Sequence, residues 1–472
     1  MKRTACIILA SLALFACKGP DNIVLSPDYA DIAVPCNIAP LNFRVAERGR
    51  VCVTVEGKDN VYRYSSGRGT ARFGIGKWDR MLEAETGNTL KVTVTAGKAS
   101  RSFCWTVIPD KIDRYLSYRL IEPAYEVWNM LSINERDLES FSERKLADNN
   151  ITSYACMNCH TSNRAADPTT FLHVRGAKGG TVYRHGSIIR KLNTATDSTA
   201  GAAVYGEISQ SGRYGIFTTA DIRPILRGGR MERLEVFDAS SDLILLDFEE
   251  NTVSDSPLVK GSEFQETFPC FSADGSTVYF CRADFKDQPG STRSMHYDLY
   301  SIPFDESKGQ LGNSIVKVVD AAALGKSISF PKCSPDGRFI LLSVSDYGTF
   351  PIWHTETDLW LYDTVTGSID TLAEVNGAFS DSYHCWSSNG RWIVWASKRD
   401  DRAYGRPYFA YVSPDGKVSK PFVMPQKDPD HYNMMLKSYN IPELYNDREA
   451  YDAHDISNLY FRMETENMTY KK

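Results

Sequence analysis

The sequence lacks any excess of basic charge. Its 54 Lys and Arg face 59 Asp and Glu, for a formal net charge of −5, whereas a nucleic-acid binder carries a basic stripe or patch. It lacks a membrane-spanning apolar run, since the stretch from Ile7 to Phe15 is too short to cross a bilayer. No Gly-x-Ser-x-Gly elbow occurs, which removes the hydrolases built on that turn. No second Cys-x-x-Cys and no His-x-x-x-His pair occurs, so no closed tetrahedral zinc site can be assembled from such pairs. Paired acids such as Glu249-Glu250 and Asp400-Asp401 lie in loop-like contexts and read as solvated faces.

Against these absences stands Cys156-Met157-Asn158-Cys159-His160. This is Cys-x-x-Cys-His, the attachment signature of c-type haem. Two thiols at this spacing can each add to a vinyl group of one haem, and the following histidine is then held at the iron. The other readings are a redox dithiol, which calls for a βαβ context absent here, and half of a zinc site, which has no second half. One covalent haem c on Cys156, Cys159 and His160 is therefore the expectation. For the sixth iron position the candidates are His and Met. His173 follows at a short distance, and Arg175 beside it could hold a haem carboxylate by charge-assisted hydrogen bonds. The alternatives for His173 are a strand histidine bonded to a neighbour, His185 in its place, a Met, or an open position.

The N-terminus reads as an export signal. Lys2 and Arg3 precede the apolar stretch, which ends Leu14-Phe15-Ala16-Cys17. This ending resembles the bacterial lipoprotein signal motif, which implies a leader of residues 1–16 and a lipid-bearing Cys17. Several acyl chains on one cysteine give stable membrane attachment. Lys18, in place of an inner-membrane retention Asp, fits an outer-membrane lipoprotein facing the periplasm, with the cell surface as the alternative. Cys6 leaves with the leader, Cys17 takes lipid, and Cys156 and Cys159 take haem. That leaves Cys36, Cys52, Cys104, Cys270, Cys281, Cys333 and Cys385, an odd set in which at least one thiol stays single. Cys52 and Cys104, both on strand-like runs of one domain, could pair.

Residues 17–30 are polar, with Gly19-Pro20-Asp21, and read as a tether. From 31 to 109 the pattern alternates with period two, as in Val51-Cys52-Val53-Thr54-Val55 and Phe103-Cys104-Trp105-Thr106-Val107. Ala96-Gly97-Lys98 forms a hairpin turn. The size and strand spacing predict a β-sandwich of immunoglobulin-like dimensions. The glycine-rich run Arg68 to Lys77 fails the phosphate-loop pattern, because Trp78 replaces Ser or Thr, and it reads as a basic loop.

Residues 110–425 carry an internal repeat at intervals of about 53 to 63 residues. Ile208-Ser209-Gln210-Ser211-Gly212, Phe271-Ser272-Ala273-Asp274-Gly275, Cys333-Ser334-Pro335-Asp336-Gly337 and Trp386-Ser387-Ser388-Asn389-Gly390 each precede a run of apolar residues. Asp-Gly and Asn-Gly supply the tight turn, and the apolar run is a buried strand. This repeat resembles that of TolB-type β-propellers, with Ser334-Pro335-Asp336-Gly337 in their hallmark form. Two weaker units, from Leu116 to Phe141 and from Phe171 to Arg190, bring the expected total to six blades. The haem motif then belongs to the propeller, since 154–200 is too short and too poor in helical periodicity for a separate cytochrome domain. The segment 426–472 is an extension that packs across the propeller or trails from it.

The expected fold is thus all-β: an immunoglobulin-like β-sandwich followed by a six-bladed TolB-like β-propeller. Asn37 to Phe43, Tyr118 to Pro123, Cys159-His160, Leu172-His173-Val174-Arg175-Gly176, Lys420-Pro421-Phe422 and Pro425 to Pro429 make most of the chain resemble a family of Bacteroidetes TolB-like lipoproteins. That family carries architecture and no settled activity. Two functions follow as expectations. One is a lipid-anchored c-type haem protein with an electron-transfer or redox role and a redox partner protein. The other is a TolB-like propeller that binds a protein or glycan, with haem structural or absent. A catalytic role would need an open distal position on the haem.

Overall fold

The structure is a computed structural model that describes residues 23–46, 49–123, 130–163, 168–227, 234–285, 289–449 and 451–471. The leader and the lipid site Cys17 lie outside the described residues. The chain is all-β, built of many small sheets.

The N-terminal part holds a five-stranded sheet in the order Ile32–Pro35, Ala99–Ile108, Thr89–Ala96, Val51–Glu56, Val61–Ser66. A three-stranded sheet, Leu25–Ser26, Phe43–Val45 and Thr70–Ala71, accompanies it. The period-two pattern works as expected: Val51, Val53, Val55, Leu90, Val92, Val94, Phe103, Trp105 and Val107 are buried while their neighbours face out. Three expectations need correction. The supposed basic loop ends in a helix, Ile75–Ala84, which buries Trp78, Met81 and Leu82. The Trp78 indole donates to the Ile38 carbonyl at 2.8 Å. The local glycines hid this helix, and Trp78 with Met81 and Leu82 at helical spacing is what forms it. The tether is shorter than expected, because Ile23, Leu25, Tyr29 and Ala30 are already buried in the core. Cys52 and Cys104 do not pair. The strand Thr89–Ala96 lies between theirs, with Cys52 opposite Thr95 and Cys104 opposite Lys91. Strands two places apart are about 9–10 Å distant, beyond the reach of a disulfide.

Beyond residue 114 come six successive sheets among the described residues, whose sequence-neighbouring strands pair antiparallel. The second to sixth begin with Met157–Ser162, Ala203–Ile208, Phe264–Phe271, Ser327–Cys333 and Asp381–Trp386. Each then adds its next strands in sequence order. The first sheet runs Tyr115–Ile121, Ser132–Asp137, Glu143–Asp148, and its remaining strand is supplied by Ser438–Tyr445 from the far end of the chain.

The Ser-x-Asp-Gly repeats are turns whose chemistry is visible. Ser272 donates to Asp274, Ser334 to Asp336 and Ser387 to Asn389, each at 2.6 Å. The same serine oxygens accept from the first N–H of the next strand, at Thr277, Phe339 and Trp392. Gly275, Gly337 and Gly390 sit at φ of 70°, 74° and 67°, where a side chain is disfavoured. A further copy stands at Ser413-Pro414-Asp415-Gly416, where Ser413 donates to Asp415.

The C-terminal segment is no tail. Besides the strand it gives the first sheet, its helix Ala453–Arg462 buries Ile456, Leu459 and Tyr460 with Leu131, Ile133, Leu172 and Val174. Its last two strands, Glu466–Asn467 and Thr469–Tyr470, add in parallel to the outer edges of the second and third sheets, covering backbone groups that an open edge leaves unpaired.

Candidate functional site

The leading strands of the six sheets surround one channel. Each has its register broken at the same place: between Asn158 and Thr161, Val204 and Glu207, Thr267 and Cys270, Ser329 and Lys332, Ser382 and Cys385, and Asn440 and Glu443. At each break two residues oppose one on the neighbouring strand, which makes a bulge. Its first residue in five strands is Tyr205, Phe268, Phe330, Tyr383 or Ile441, at φ between 48° and 53°. Such a φ is strained for bulky residues, and here it turns side chains into the channel. The rings make a chain: Tyr205 to Phe268 at 5.1 Å, Phe268 to Phe330 at 3.9 Å, Phe330 to Tyr383 at 4.6 Å between centroids. They narrow the channel to a waist of 60 Å³.

The second strand puts Cys159-His160 at this bulge, where the sixth strand puts Tyr383-His384. Sequence reading missed this. The signal was present, since an aromatic residue recurs three positions before Phe271, Cys333 and Trp386. Asn163 likewise stands where other repeats have the turn serine, and its side-chain oxygen accepts from Thr169 N at 2.7 Å.

His160 lines the waist and is 4% exposed. Neither ring nitrogen has a hydrogen-bond partner among the described residues. Burial, helped by the Arg119 guanidinium, lowers its pKa to about 4. The Ile441 main chain opposes this from outside hydrogen-bond geometry. The imidazole is neutral at pH 7, with a lone pair unengaged.

Cys156 precedes the strand and lines a mouth of 210 Å³ at one end of the channel. One wall of this mouth is apolar, with Leu234, Val236, Ile352 and Trp353; the other carries Arg119, Asn158, Arg175, Lys398 and Asn440. Arg119 is 7% exposed, and its Nε has no partner among the described residues. The Lys398 ammonium lies 3.3 Å from the centre of the Trp353 ring. Arg175 is exposed, and its N–H donates to the Cys156 carbonyl at 2.9 Å. The contact between Arg175 and Cys156 is through the main chain. The side chain of Cys159 lies outside the described residues.

His173 is placed differently. It stands opposite Asn158 on the neighbouring strand, half-buried, and its Nδ1 meets the Thr181 hydroxyl at 3.1 Å. It lines neither mouth nor waist. His185 Nδ1 is engaged by the Thr169 hydroxyl at 2.8 Å.

At the other end of the channel is a polar cavity of 330 Å³. There Lys332 meets Glu207 at 3.5 Å. Burial would lower the Lys332 pKa, but Glu207 and Glu443 outweigh it and raise it. A second cluster absent from the sequence reading lies near the mouth. His354 is clamped between Glu235 at 2.8 Å and Glu356 at 3.2 Å, with the Tyr347 ring tilted against it at 4.4 Å between centroids. Burial acts to lower the His354 pKa, and the two carboxylates raise it to about 9. No sequence pattern announces this cluster, because Glu235 lies 119 residues from His354 in the chain.

A haem is tested against these residues by donor chemistry. At the waist a neutral imidazole whose nitrogens have no partner among the described residues, and at the mouth a thiol and a cationic lip for carboxylates, are donor types that suit it. Among the described residues no group of three or more His, Cys, Asp or Glu side chains forms a metal site by itself. The mouth, at 210 Å³, is smaller than the roughly 300–1,000 Å³ of a cofactor pocket.

No helix among the described residues is long and apolar enough to cross a membrane. No family model matches the chain, and no curated protein matches it. Solved structures do. A hypothetical selenium-binding protein from Sulfolobus tokodaii is 11% identical, with a TM-score of 0.44, over 86% of this chain and 95% of that one. Synechocystis apocarotenoid oxygenase is 10% identical, with a TM-score of 0.38, over 86% of this chain and 94% of that one. Kuenenia stuttgartiensis hydrazine synthase is 12% identical, with a TM-score of 0.33, over 60% of this chain and 73% of that one. Likenesses this remote carry no argument about activity.

Proposed function

We propose that the chain is an exported, lipid-anchored c-type haem protein with an electron-transfer or redox role. Its scaffold in this reading is an immunoglobulin-like domain followed by a six-bladed, TolB-like propeller. Six successive sheets around one channel support the propeller, as does the C-terminal strand that completes the first sheet. Cys156 and Cys159 would hold the haem covalently, and His160 would bind its iron. The observation that carries this reading is the state of His160, a buried, neutral imidazole with both nitrogens unpartnered among the described residues. Leaving buried polar atoms unpaired costs about 1–3 kcal/mol, so such an atom calls for a ligand.

Bound haem supplies a one-electron centre. The chain's own part is to hold and shield it. His160 presents its lone pair from the waist, the aromatic chain closes the channel behind it, and Arg119, Arg175 and Lys398 offer positive charge to carboxylates. His173 has its Nδ1 on Thr181, so its Nε2 is the nitrogen that would serve as a second ligand. The partner is a redox protein that reaches the mouth, and the leader with Cys17 puts the protein on the outer membrane, facing the periplasm.

A second reading has its own observation. Cys159-His160 occupies a bulge that every leading strand repeats, so the dipeptide also has an explanation in the repeat. The protein is then a propeller that binds a protein or glycan. An absorption spectrum of protein matured with the c-type haem machinery separates the two: a covalent haem supports the first, and its absence the second.

A further inference from the structure

Cys270 and Cys333 bring their sulfur atoms to 3.8 Å. Cys270 belongs to the leading strand Phe264–Phe271 of the fourth sheet and Cys333 to the leading strand Ser327–Cys333 of the fifth. Cys270 is fully buried, while Cys333 opens on the 330 Å³ cavity. We propose that these two thiols are a disulfide site that staples the fourth sheet to the fifth beside the channel. Bonded sulfurs stand about 2.0 Å apart, so closure asks for a movement of under about 2 Å. The geometry singles out this pair. Cys52 and Cys104 are separated by a strand, and Cys281 is buried one strand outward, opposite Thr267.

The bond forms by thiol–disulfide exchange, and the oxidant is an external disulfide R–S–S–R. One protein thiolate attacks it, forming a mixed disulfide and releasing R–S⁻, which takes up the proton that the thiol lost. The second thiolate breaks the mixed disulfide and releases the second R–S⁻, which is protonated in turn. Two thiols are oxidised to one disulfide and one external disulfide is reduced to two thiols. A compartment outside the cytoplasm, as proposed above, supplies such an oxidant. Contact with Cys270, together with burial, holds the Cys333 thiol well above its ordinary pKa. Exchange therefore belongs to the folding chain, before the two sheets close.

The test refolds the full chain with oxidised and reduced glutathione, blocks remaining thiols with N-ethylmaleimide and maps tryptic peptides without reduction. Trypsin releases 261–282 and 333–338, and the inference expects these two joined. The first peptide also carries Cys281, so Cys281→Ser must keep the link and Cys270→Ser must lose it. If refolding fails, the same map is made on protein isolated folded from an exporting host. Reductant is expected to lower the melting temperature of the wild type by several degrees and to leave Cys333→Ser unchanged. Cys270 and Cys333 both recovered as blocked thiols from folded, oxidised protein would overturn the inference. The map reads positions remote from Cys156 and Cys159, so its result does not depend on haem.

Discussion

His160 and His384 occupy the same bulge position on two leading strands, yet one is fully bonded and the other is not. His384 meets the Ser343 hydroxyl at 3.2 Å and the Leu341 carbonyl at 2.8 Å, whereas His160 meets nothing with either nitrogen among the described residues. His384 is held by its neighbours, and His160 is the histidine that the proposed haem would take as a ligand. In haem-free protein, His384→Ala strands two polar groups and opens a cavity, for an expected loss of about 3 kcal/mol. His160→Ala removes no hydrogen bond, and its loss is expected to be smaller by at least about 1 kcal/mol. Urea unfolding of both variants checks this, and equal losses would mean that His160 is structural too.

The Glu235–His354–Glu356 clamp sets an alkaline limit on stability. The folded pKa of His354, about 9, lies above its unfolded value of about 6.5. The stabilisation is therefore complete below pH 6.5 and is lost as pH rises through about 9. The loss is on the order of 3 kcal/mol. His354→Gln is expected to flatten the stability profile between pH 6.5 and 9 in denaturant titrations. An unchanged slope would show that the clamp does not hold a charged imidazole.

His384 acts in the opposite sense. Burial lowers its folded pKa to about 3, below the unfolded value of about 6.5. Its native contacts are fully available above pH 6.5 and become costly as pH falls from there toward 3, because the unfolded chain takes up the proton first. Unfolding of His384→Asn is expected to be less acid-sensitive than that of wild type over this range. A steeper acid slope in the variant would refute the assignment.

Phe268 stands between Tyr205 and Phe330 in the ring chain at the waist. Phe268→Ala is expected to cost about 3–5 kcal/mol and to widen the channel. Differential scanning calorimetry reads the loss, and a change under about 1 kcal/mol would mean that the ring chain is not a packed unit.

Ending the chain at two points separates closure from edge cover. Stopping after Arg462 removes only the edge strands Glu466–Asn467 and Thr469–Tyr470, and a folded protein of reduced stability is expected. Stopping after Lys437 also removes Ser438–Tyr445, the channel strand of the first sheet. That chain is expected to lose its cooperative thermal transition. A sharp transition in the shorter chain would contradict closure by the C-terminal strand.

Much of the architecture was legible because its signals are local. The alternation in Val51 to Val55 and the Ser-x-Asp-Gly turns are written in adjacent residues, and the strands and turns follow from them. The helix at Ile75–Ala84 was hidden by neighbouring glycines, and the role of Ser438–Tyr445 by distance, since its partner Tyr115–Ile121 lies some three hundred residues earlier. At the candidate site the structure puts His160 at the waist, Cys156 and Arg175 at the mouth, and His173 beside Thr181, a distribution set by strand pairing that the spacing of these residues does not encode. The orphan state of His160 and the carboxylates around His354 depend on tertiary contacts that no spacing encodes.

The measurement that bears most directly on the account is the oxidised and reduced absorption spectrum, with a pyridine haemochrome, of protein produced with the c-type maturation machinery. The account predicts a covalent c-type haem that is lost in Cys156→Ala/Cys159→Ala and whose iron ligation changes in His160→Ala. It further predicts that the His384→Ala spectrum stays like that of wild type. Folded protein that carries no covalent haem would contradict the account and leave a binding propeller whose Cys159-His160 is one more copy of a structural bulge.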